Sequence, residues 1–203
     1  TIFLFAGVVK GFLGIGLPAA AMGLLTLVIS PTEAISLLWL PILFTNIFQF
    51  GRAPERRTIA TSYIWFAVPL AASIFLTSLF INDYPTALLT VAIGSAMVIF
   101  SLNLLFGVKV PIGPGPFWQG AFGVVAGVLG GLSSIWSPPV AMYLIARDTP
   151  KERFIGAAGF LFLAGCVPLG IGLVMSGLVT WVVIVKSSLG LATTLIDFRV
   201  GEI

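Results

Sequence analysis

Three serines and a tryptophan lie together in a stretch of the chain that is otherwise apolar and rich in glycine. Residues 123–143 read GVVAGVLGGLSSIWSPPVAMY. Proline cannot continue a preceding helix but can open a new one, so we expect a helix that breaks and restarts here. The N-terminus of a helix offers free N–H groups and positive dipole charge, which favour an anion. We therefore predict substrate-binding roles for Gly131, Ser133, Ser134 and Trp136. The alternatives are that the serines only cap the second helix and that the tryptophan only packs.

A second glycine-rich break lies near the start of the chain, at residues 7–18, which read GVVKGFLGIGLP. Six of the eight residues at 7–14 recur at 123–130. Irregular backbone at membrane depth is tolerated only where protein or a wet cavity satisfies the freed polar groups. Paired breaks in the two halves of a transporter mark its substrate site. Gly14 and Gly16 therefore join the predicted site.

Three polar residues inside apolar segments complete the predicted site: Lys10, Asn46 and Gln49. A lysine near the bilayer centre costs about 2.5–3.5 kcal/mol, so it needs a partner such as an anionic ligand, unless it snorkels to the interface. Snorkelling is the stronger interpretation for Lys186. Asn46 and Gln49 are three residues apart and share one helix face, where they could bind the ligand or form a bond between helices.

The composition is typical of an integral membrane protein and limits the chemistry it can perform. The chain is 59% hydrophobic and 8% charged, whereas soluble domains carry about 25% charged residues. With no histidine and one cysteine, Cys166, it lacks the ligand sets of zinc, haem and iron–sulfur sites, and we expect no cofactor. All seven acidic residues fall at predicted caps, turns or the tail, whereas proton relays use buried Asp, Glu or His. The basic residues form no extended run that would indicate nucleic-acid binding.

Seven apolar segments follow one another along the chain, and the first and fifth are long for one span and short for two. They are residues 2–29, 33–50, 60–81, 85–106, 117–145, 154–177 and 178–196. Ser30-Pro31 and Thr149-Pro150 are predicted to start the helices that follow them. Because the chain opens within an apolar pattern and stops without a clear end, we expect further residues at one or both ends.

The distribution of positive charge indicates whether the first and fifth segments cross the membrane or return to the side from which they enter. If both enter and return on one side, the loops at 51–57 and 147–153, with Lys109 and Arg199, share one face. The turns on the other face carry no Lys or Arg, which is the positive-inside pattern. We therefore predict an all-α integral membrane protein of two inverted repeats. Each repeat has a broken, re-entrant helical hairpin followed by about three transmembrane helices.

The predicted repeats cover residues 1–107 and 117–203, joined by a Gly/Pro-rich linker at 108–116, within one transmembrane domain. The pattern resembles the sulfite exporter TauE/SafE family of bacterial inner-membrane anion transporters. The resemblance rests on residues 7–16 with Pro31-Thr-Glu-Ala, on the loop at 52–57, and on residues 123–143 with Pro150–Arg153. The first half departs from the family, which often has three consecutive glycines where this chain has Gly14-Ile15-Gly16.

The resemblance implies a multi-pass protein of the bacterial inner membrane that exports sulfite, a sulfonate or a related small carboxylate. Its expected partners are a small anion and the lipid bilayer, with a homodimer possible and no nucleic acid. The alternatives are a proton- or sodium-coupled importer of the same anions and, less favoured, a membrane enzyme or a scaffold. An enzyme would require a cluster of His, Cys or carboxylates, which the sequence lacks.

Overall fold

The computed structural model describes residues 17–106, 111–113 and 115–201, and the regular elements in these ranges are all α-helices. They are α1 (Leu17–Leu25), α2 (Pro31–Arg52), α3 (Arg56–Ser62), α4 (Ile64–Leu79), α5 (Thr86–Phe106), α6 (Pro116–Ser133), α7 (Ser137–Ala146), α8 (Lys151–Met175) and α9 (Trp181–Gly201). The prediction of a helical membrane protein is confirmed. By length and composition three helices could cross a membrane, namely α2, α5 and α8, and the bent pair α3–α4 could be a fourth.

Local sequence explains where the helices start. Ser30 is the N-cap of α2 and accepts a hydrogen bond from the Glu33 N–H at 3.3 Å, with Pro31 in the first turn, as predicted. For α8 we predicted that Thr149-Pro150 starts the helix, with Thr149 as the cap. The N-cap is one residue later, at Pro150, which makes no side-chain hydrogen bond. Proline has no N–H and a fixed φ, so it can end the preceding loop without a capping side chain.

Helix α8 lies at the centre of the molecule, packed against α2 and α4. Trp39 Nε1 donates to the Cys166 carbonyl at 3.0 Å, and Gln49 Nε2 donates to the Ile155 carbonyl at 2.8 Å. A residue later in α2 therefore contacts a residue earlier in α8, which shows that the two helices are antiparallel. Cys166 is fully buried, as expected of a small core residue.

A stripe of glycines brings α6 close to α4. A Cβ on Gly123 would lie 2.5 Å from the Phe66 carbonyl oxygen, and one on Gly127 would lie 2.7 Å from the Leu70 oxygen. A Cβ on Gly131 would lie 3.1 Å from the Ile74 carbonyl oxygen, one turn further along α4, and would also meet the Thr77 side chain. Only glycine permits this approach of two helix backbones, so the Gly-x-x-x-Gly pairs of α6 serve helix packing. The register also shows that α4 and α6 run parallel.

The third apolar segment was predicted as one span with Pro69 inside it, and it is bent instead by 69° between α3 and α4. Pro69 lies within the regular part of α4, and the bend is at Tyr63. The carbonyl of Ser62, freed by the bend, accepts a hydrogen bond from Gln119 Nε2 at 3.0 Å. A tertiary bond therefore satisfies the break, and the local sequence gives no sign of it.

The two ends of the helix bundle differ in charge. At one end Arg153 Nη2 donates to Ser62 Oγ at 3.1 Å, and Arg153 and Glu55 line the same small cleft. At the other end Asn82 Nδ2 donates to the Ser176 carbonyl at 2.8 Å. The loops at 51–57 and 147–153 therefore share one end, as predicted, and the turns that lack Lys and Arg share the other.

Candidate functional site

The broken segment folds back on itself. Helix α6 starts beside Ser62 at the charged end and reaches Thr77, near the end of α4, at Gly131. Helix α7 then returns, and Tyr143 near its end stacks against Phe122 with ring centroids 5.7 Å apart. Residues 134–136, between the two helices, form the hairpin break, and they lie beside the middle of α8.

Two serines shape the backbone of the hairpin break. Ser133 Oγ donates to the Leu129 carbonyl at 2.6 Å and accepts from the Ile135 N–H at 3.1 Å, so this hydroxyl is used for capping. Ser134 has φ 58° and ψ 14°, in the left-handed region, and its N–H bonds the Gly130 carbonyl at 2.7 Å. This conformation costs a non-glycine residue roughly 1–2 kcal/mol. Such strained positions concentrate at functional sites.

Three polar atoms at the hairpin break are buried and have no hydrogen-bond partner within the described part of the chain. They are the hydroxyl oxygens of Ser134 and Ser137 and Nε1 of Trp136. A buried polar group without a partner costs about 1–3 kcal/mol. All three can donate a hydrogen bond, so the hairpin break carries three buried donors within four consecutive residues.

The start of α7 is a weaker backbone anion site than the sequence suggested. Pro138 and Pro139 occupy its second and third helical positions and carry no N–H. The N–H of Val140 is already directed to the Trp136 carbonyl, at 3.4 Å. Among the described residues, the Ser137 N–H is therefore the one donor of the first turn without a backbone partner. An anion site at the hairpin break would therefore depend mainly on side-chain donors, and Ser137, which we did not include in the predicted set, is a further candidate.

Trp136 forms one wall of the hairpin break. Its ring carbons would lie 2.8 Å from a Cβ on Gly130 and 3.1 Å from one on Gly165. It also stacks edge-on against Phe162, with centroids 5.9 Å apart. The two glycines and Phe162 fix the indole, so Trp136 packs while its Nε1 stays unpartnered among the described residues.

The two polar residues of α2 are buried and partly occupied. Asn46 Nδ2 donates to the Ile42 carbonyl of its own helix at 2.7 Å. Gln49 Nε2 forms the bond between helices that we weighed against ligand binding, to Ile155, while its buried Oε1 has no partner in the described ranges. Gln49 meets α8 near Gly159, one turn before the Phe162 on which Trp136 stacks. A role for either amide in binding stays a prediction.

The remaining predicted residues are Lys10, Gly14 and Gly16, and they lie outside the described residues. Lys186, by contrast, is placed. Its Nζ is 3.5 Å from Glu33 Oε1, and both side chains are well exposed. Lys186 was interpreted as a lysine that snorkels to the interface, and its exposed ammonium group is compatible with that interpretation.

A concave site lies at the charged end. The charged-end cleft, as we call it, has a volume of about 230 Å³ and is lined by Ser62, Tyr63, Gln119, Tyr143, Arg147, Thr149, Pro150 and Arg153. Sequence reasoning used Arg147 and Arg153 only as markers of topology. The cleft was missed because its lining comes from α3, α6, α7 and the start of α8, which only the fold brings together.

Comparison with known proteins gives one match. The model of the family described as Sulfite exporter TauE/SafE matches residues 1–198. No curated protein and no solved structure matches the chain. The family match spans the glycine-rich segments of both halves and includes the hairpin break.

Proposed function

The chain belongs to the sulfite exporter TauE/SafE family, a family of membrane transporters, and we propose that it exports a small anion that bears a sulfite, sulfonate or carboxylate group. The observation that carries the proposal is the set of three donors at the hairpin break, on Ser134, Trp136 and Ser137, that have no partner among the described residues. An oxyanion accepts hydrogen bonds and donates none when fully ionised. A binding site for such a ligand therefore requires hydrogen-bond donors that are not already bonded to protein acceptors.

The surroundings of the hairpin break support a site for transport. Its walls are helices packed through glycine, at Gly130 against Trp136 and at Gly131 against Thr77. This packing holds the donors in place before the ligand arrives, so little entropy is lost on binding. In our proposal Lys10 and the glycine-rich break at residues 7–18 meet the hairpin break from the first half and supply the positive charge.

The direction of the helices is consistent with inverted repeats. Helix α2 follows the first glycine-rich segment and α8 follows the second, so they hold equivalent places in the two halves. They run antiparallel, as the Trp39 and Gln49 bonds show. We propose that the two halves are inverted copies and that both glycine-rich segments enter and return on the cytoplasmic side. Transporters of this kind bind substrate between the repeats.

Export of an anion is favoured by the resting potential of a bacterial cell. One elementary charge that moves through 100 mV gains about 2.3 kcal/mol, and an anion gains it on leaving the negative interior. Such a transporter needs no proton relay. Glu55, Asp83, Asp148 and Glu152 are all exposed, and Glu33 is paired at the surface with Lys186. The acidic residues whose side chains are described therefore lie at the surface and form no buried proton relay, as we expect of an uncoupled exporter.

Substrate-stimulated counterflow in proteoliposomes tests the proposal. Sulfite, ethanesulfonate, acetate and chloride would each be loaded inside the vesicles, and entry of the labelled anion would be followed. We expect saturable counterflow for at least one oxyanion and none for an uncharged analogue of the same size. If no anion of the panel is exchanged, the proposed function is wrong.

Variants at the hairpin break test whether these donors bind the anion. Ser134→Ala and Ser137→Ala should each weaken anion affinity about tenfold, because a hydrogen bond to a charged group contributes about 1.5–3 kcal/mol. The thermal midpoint should hold or rise, since neither hydroxyl has a partner to lose among the described residues. Ser36→Ala is the matched control, because Ser36 is equally buried but bonds its own helix at the Thr32 carbonyl. Normal affinity with a lowered midpoint at position 134 would assign that serine to structure.

A further inference from the structure

The structure contains a second set of anion-binding groups at the opposite end of the same hairpin. We propose that the charged-end cleft is a second anion site, which captures the substrate before the substrate reaches the hairpin break. The inference rests on the proposed function, because it assigns the same class of ligand to both sites. It adds residues that transport through the hairpin break does not require.

Two arginines give the cleft its charge. Arg153 Nη2 donates to Ser62 Oγ at 3.1 Å, and its guanidinium keeps its other N–H groups for a ligand. Across the described ranges neither Arg147 nor Arg153 forms a salt bridge, and no acidic residue lines the cleft. Glu55 and Glu152 line a neighbouring cleft, which Arg153 shares. A guanidinium presents a planar set of donors that matches the oxygens of a sulfonate or carboxylate.

Neutral side chains complete the cleft. Tyr63, Tyr143 and Thr149 add hydroxyl groups to its lining. Gln119 fixes one wall, because its Nε2 donates to the Ser62 carbonyl at 3.0 Å and so ties α6 to the bend between α3 and α4. A volume of about 230 Å³ accommodates a small organic anion.

Aromatic rings separate the cleft from the hairpin break. Tyr143 is only 3% exposed and stacks against Tyr63 at 6.4 Å and against Phe66 at 5.3 Å. It also contacts Phe122, one turn deeper on α6 than Gln119. Since a helix rises about 1.5 Å per residue, α7 places Arg147 roughly 15 Å from Ser137. The cleft and the hairpin break are therefore two sites, with the rings of Tyr143 and its neighbours between them.

The test is the concentration dependence of transport in charge-removing variants. Arg147→Gln and Arg153→Gln would be assayed in proteoliposomes with whichever of sulfite, ethanesulfonate or acetate the wild type exchanges fastest. We expect KM to rise about tenfold in each variant, with the maximal rate within about twofold of wild type, because the lost interaction is a charged hydrogen bond at the entrance. Arg153→Lys should retain part of the affinity, since it keeps the charge but not the planar donors.

Arg57→Gln is the control, because Arg57 is an exposed residue of the same end that does not line the cleft. If it raises KM as much as the cleft variants do, general surface charge explains the effect and the inference is wrong. An unchanged KM in both cleft variants would also overturn it.

The phosphate of an anionic lipid has similar chemistry and is the other possible ligand. The same assay in phosphatidylcholine vesicles, with and without phosphatidylglycerol, separates the two. A KM defect that persists without anionic lipid supports a substrate site. A defect that appears only with anionic lipid identifies a lipid site and overturns the inference.

If the wild type transports none of the anions, the proposed function fails. Thermal stabilisation by the same anions, if abolished in the arginine variants but not in Ser134→Ala, would then support the cleft as an anion site independently.

Discussion

Ser134 and its neighbours show how a few residues turn a helix break into a set of hydrogen-bond donors. Ser133 satisfies the backbone on both sides of the break, which leaves Ser134 and Ser137 without a structural bond in the described part of the chain. Pro138 and Pro139 open α7 but remove the backbone donors that an ordinary helix start would offer. Selectivity at this site should therefore depend on side chains, and single substitutions should alter it.

The conformation of Ser134 gives a prediction that separates binding from folding. Ser134→Gly should raise the free energy of unfolding by about 1 kcal/mol, because glycine adopts the left-handed conformation without strain and buries no hydroxyl. The same change should weaken anion affinity, since a donor is lost. Thermal midpoints and equilibrium binding, measured on the same preparation, provide the check.

Ser133→Gly is the matched comparison for that variant. Ser133 is helical and its hydroxyl is bonded on both sides, so the change should lower stability. A less stable Ser134→Gly protein with normal affinity would show that the hydroxyl at position 134 supports the fold instead.

At the scale of elements, the hairpin of α6 and α7 is held in place by its packing on α4. Gly123, Gly127 and Gly131 recur every four residues and form one face of α6, and each lies close to the backbone or side chains of α4. The hairpin can therefore lie deep in the protein, where its break is shielded. A larger residue in this stripe should displace the break as well as the helix.

Gly127→Ala tests this packing. Its Cβ would lie 2.5 Å from Ser73 Cβ and 2.7 Å from the Leu70 carbonyl oxygen, a backbone atom that cannot move alone. We expect a loss of about 1–3 kcal/mol in stability, as for other overpacked positions, together with loss of transport. Gly120→Ala on the same helix meets nothing within 4 Å and should be neutral or slightly stabilising. Equal midpoints for the two variants would show that the close approach contributes nothing to stability.

At the scale of the whole molecule, the positive loops gather at one end. We expect Arg56 and Arg153 to lie together on the cytoplasmic side, because the positive-inside rule places short loops rich in Lys and Arg there. The check is labelling of whole cells with a membrane-impermeant thiol reagent at Arg56→Cys and Arg153→Cys, in a Cys166→Ala background. Labelling at position 153 with protection at position 56 would contradict both the inverted repeats and the fold-back of α6 and α7.

The distribution of charge also predicts the driving force. Uncoupled anion flux should follow the membrane potential and ignore a pH gradient when the substrate is a fully ionised sulfonate. A tenfold gradient is worth about 1.4 kcal/mol, so flux of a monovalent anion should reverse near about 60 mV. A potassium–valinomycin clamp in proteoliposomes sets potential and pH independently. Uphill uptake driven by a proton or sodium gradient at zero potential would favour the coupled importer instead.

The sequence by itself determined the class of protein, most of the helices and the approximate position of the break. These follow from local causes, namely apolar runs long enough to span, proline and glycine at the ends of helices, and the paired Gly-x-x-x-Gly motifs. The fifth apolar segment was predicted to break within residues 130–139, because Pro138 and Pro139 cannot continue a preceding helix, and the structure narrows the break to residues 134–136. The charge pattern likewise predicted which loops share an end, since that depends on the number of crossings alone.

Only the tertiary structure decided which polar atoms are left without partners and where the chain bends. The bend at Tyr63 is satisfied by Gln119, 57 residues further along the chain, and no local pattern could show that bond. Ser133 and Ser134 are adjacent and chemically identical, yet one caps the backbone and the other is unpartnered among the described residues. The charged-end cleft likewise exists only because the fold brings distant helices together. Hydrogen-bond satisfaction and concave surfaces depend on three-dimensional neighbours, whereas helices and breaks depend mainly on neighbours in sequence.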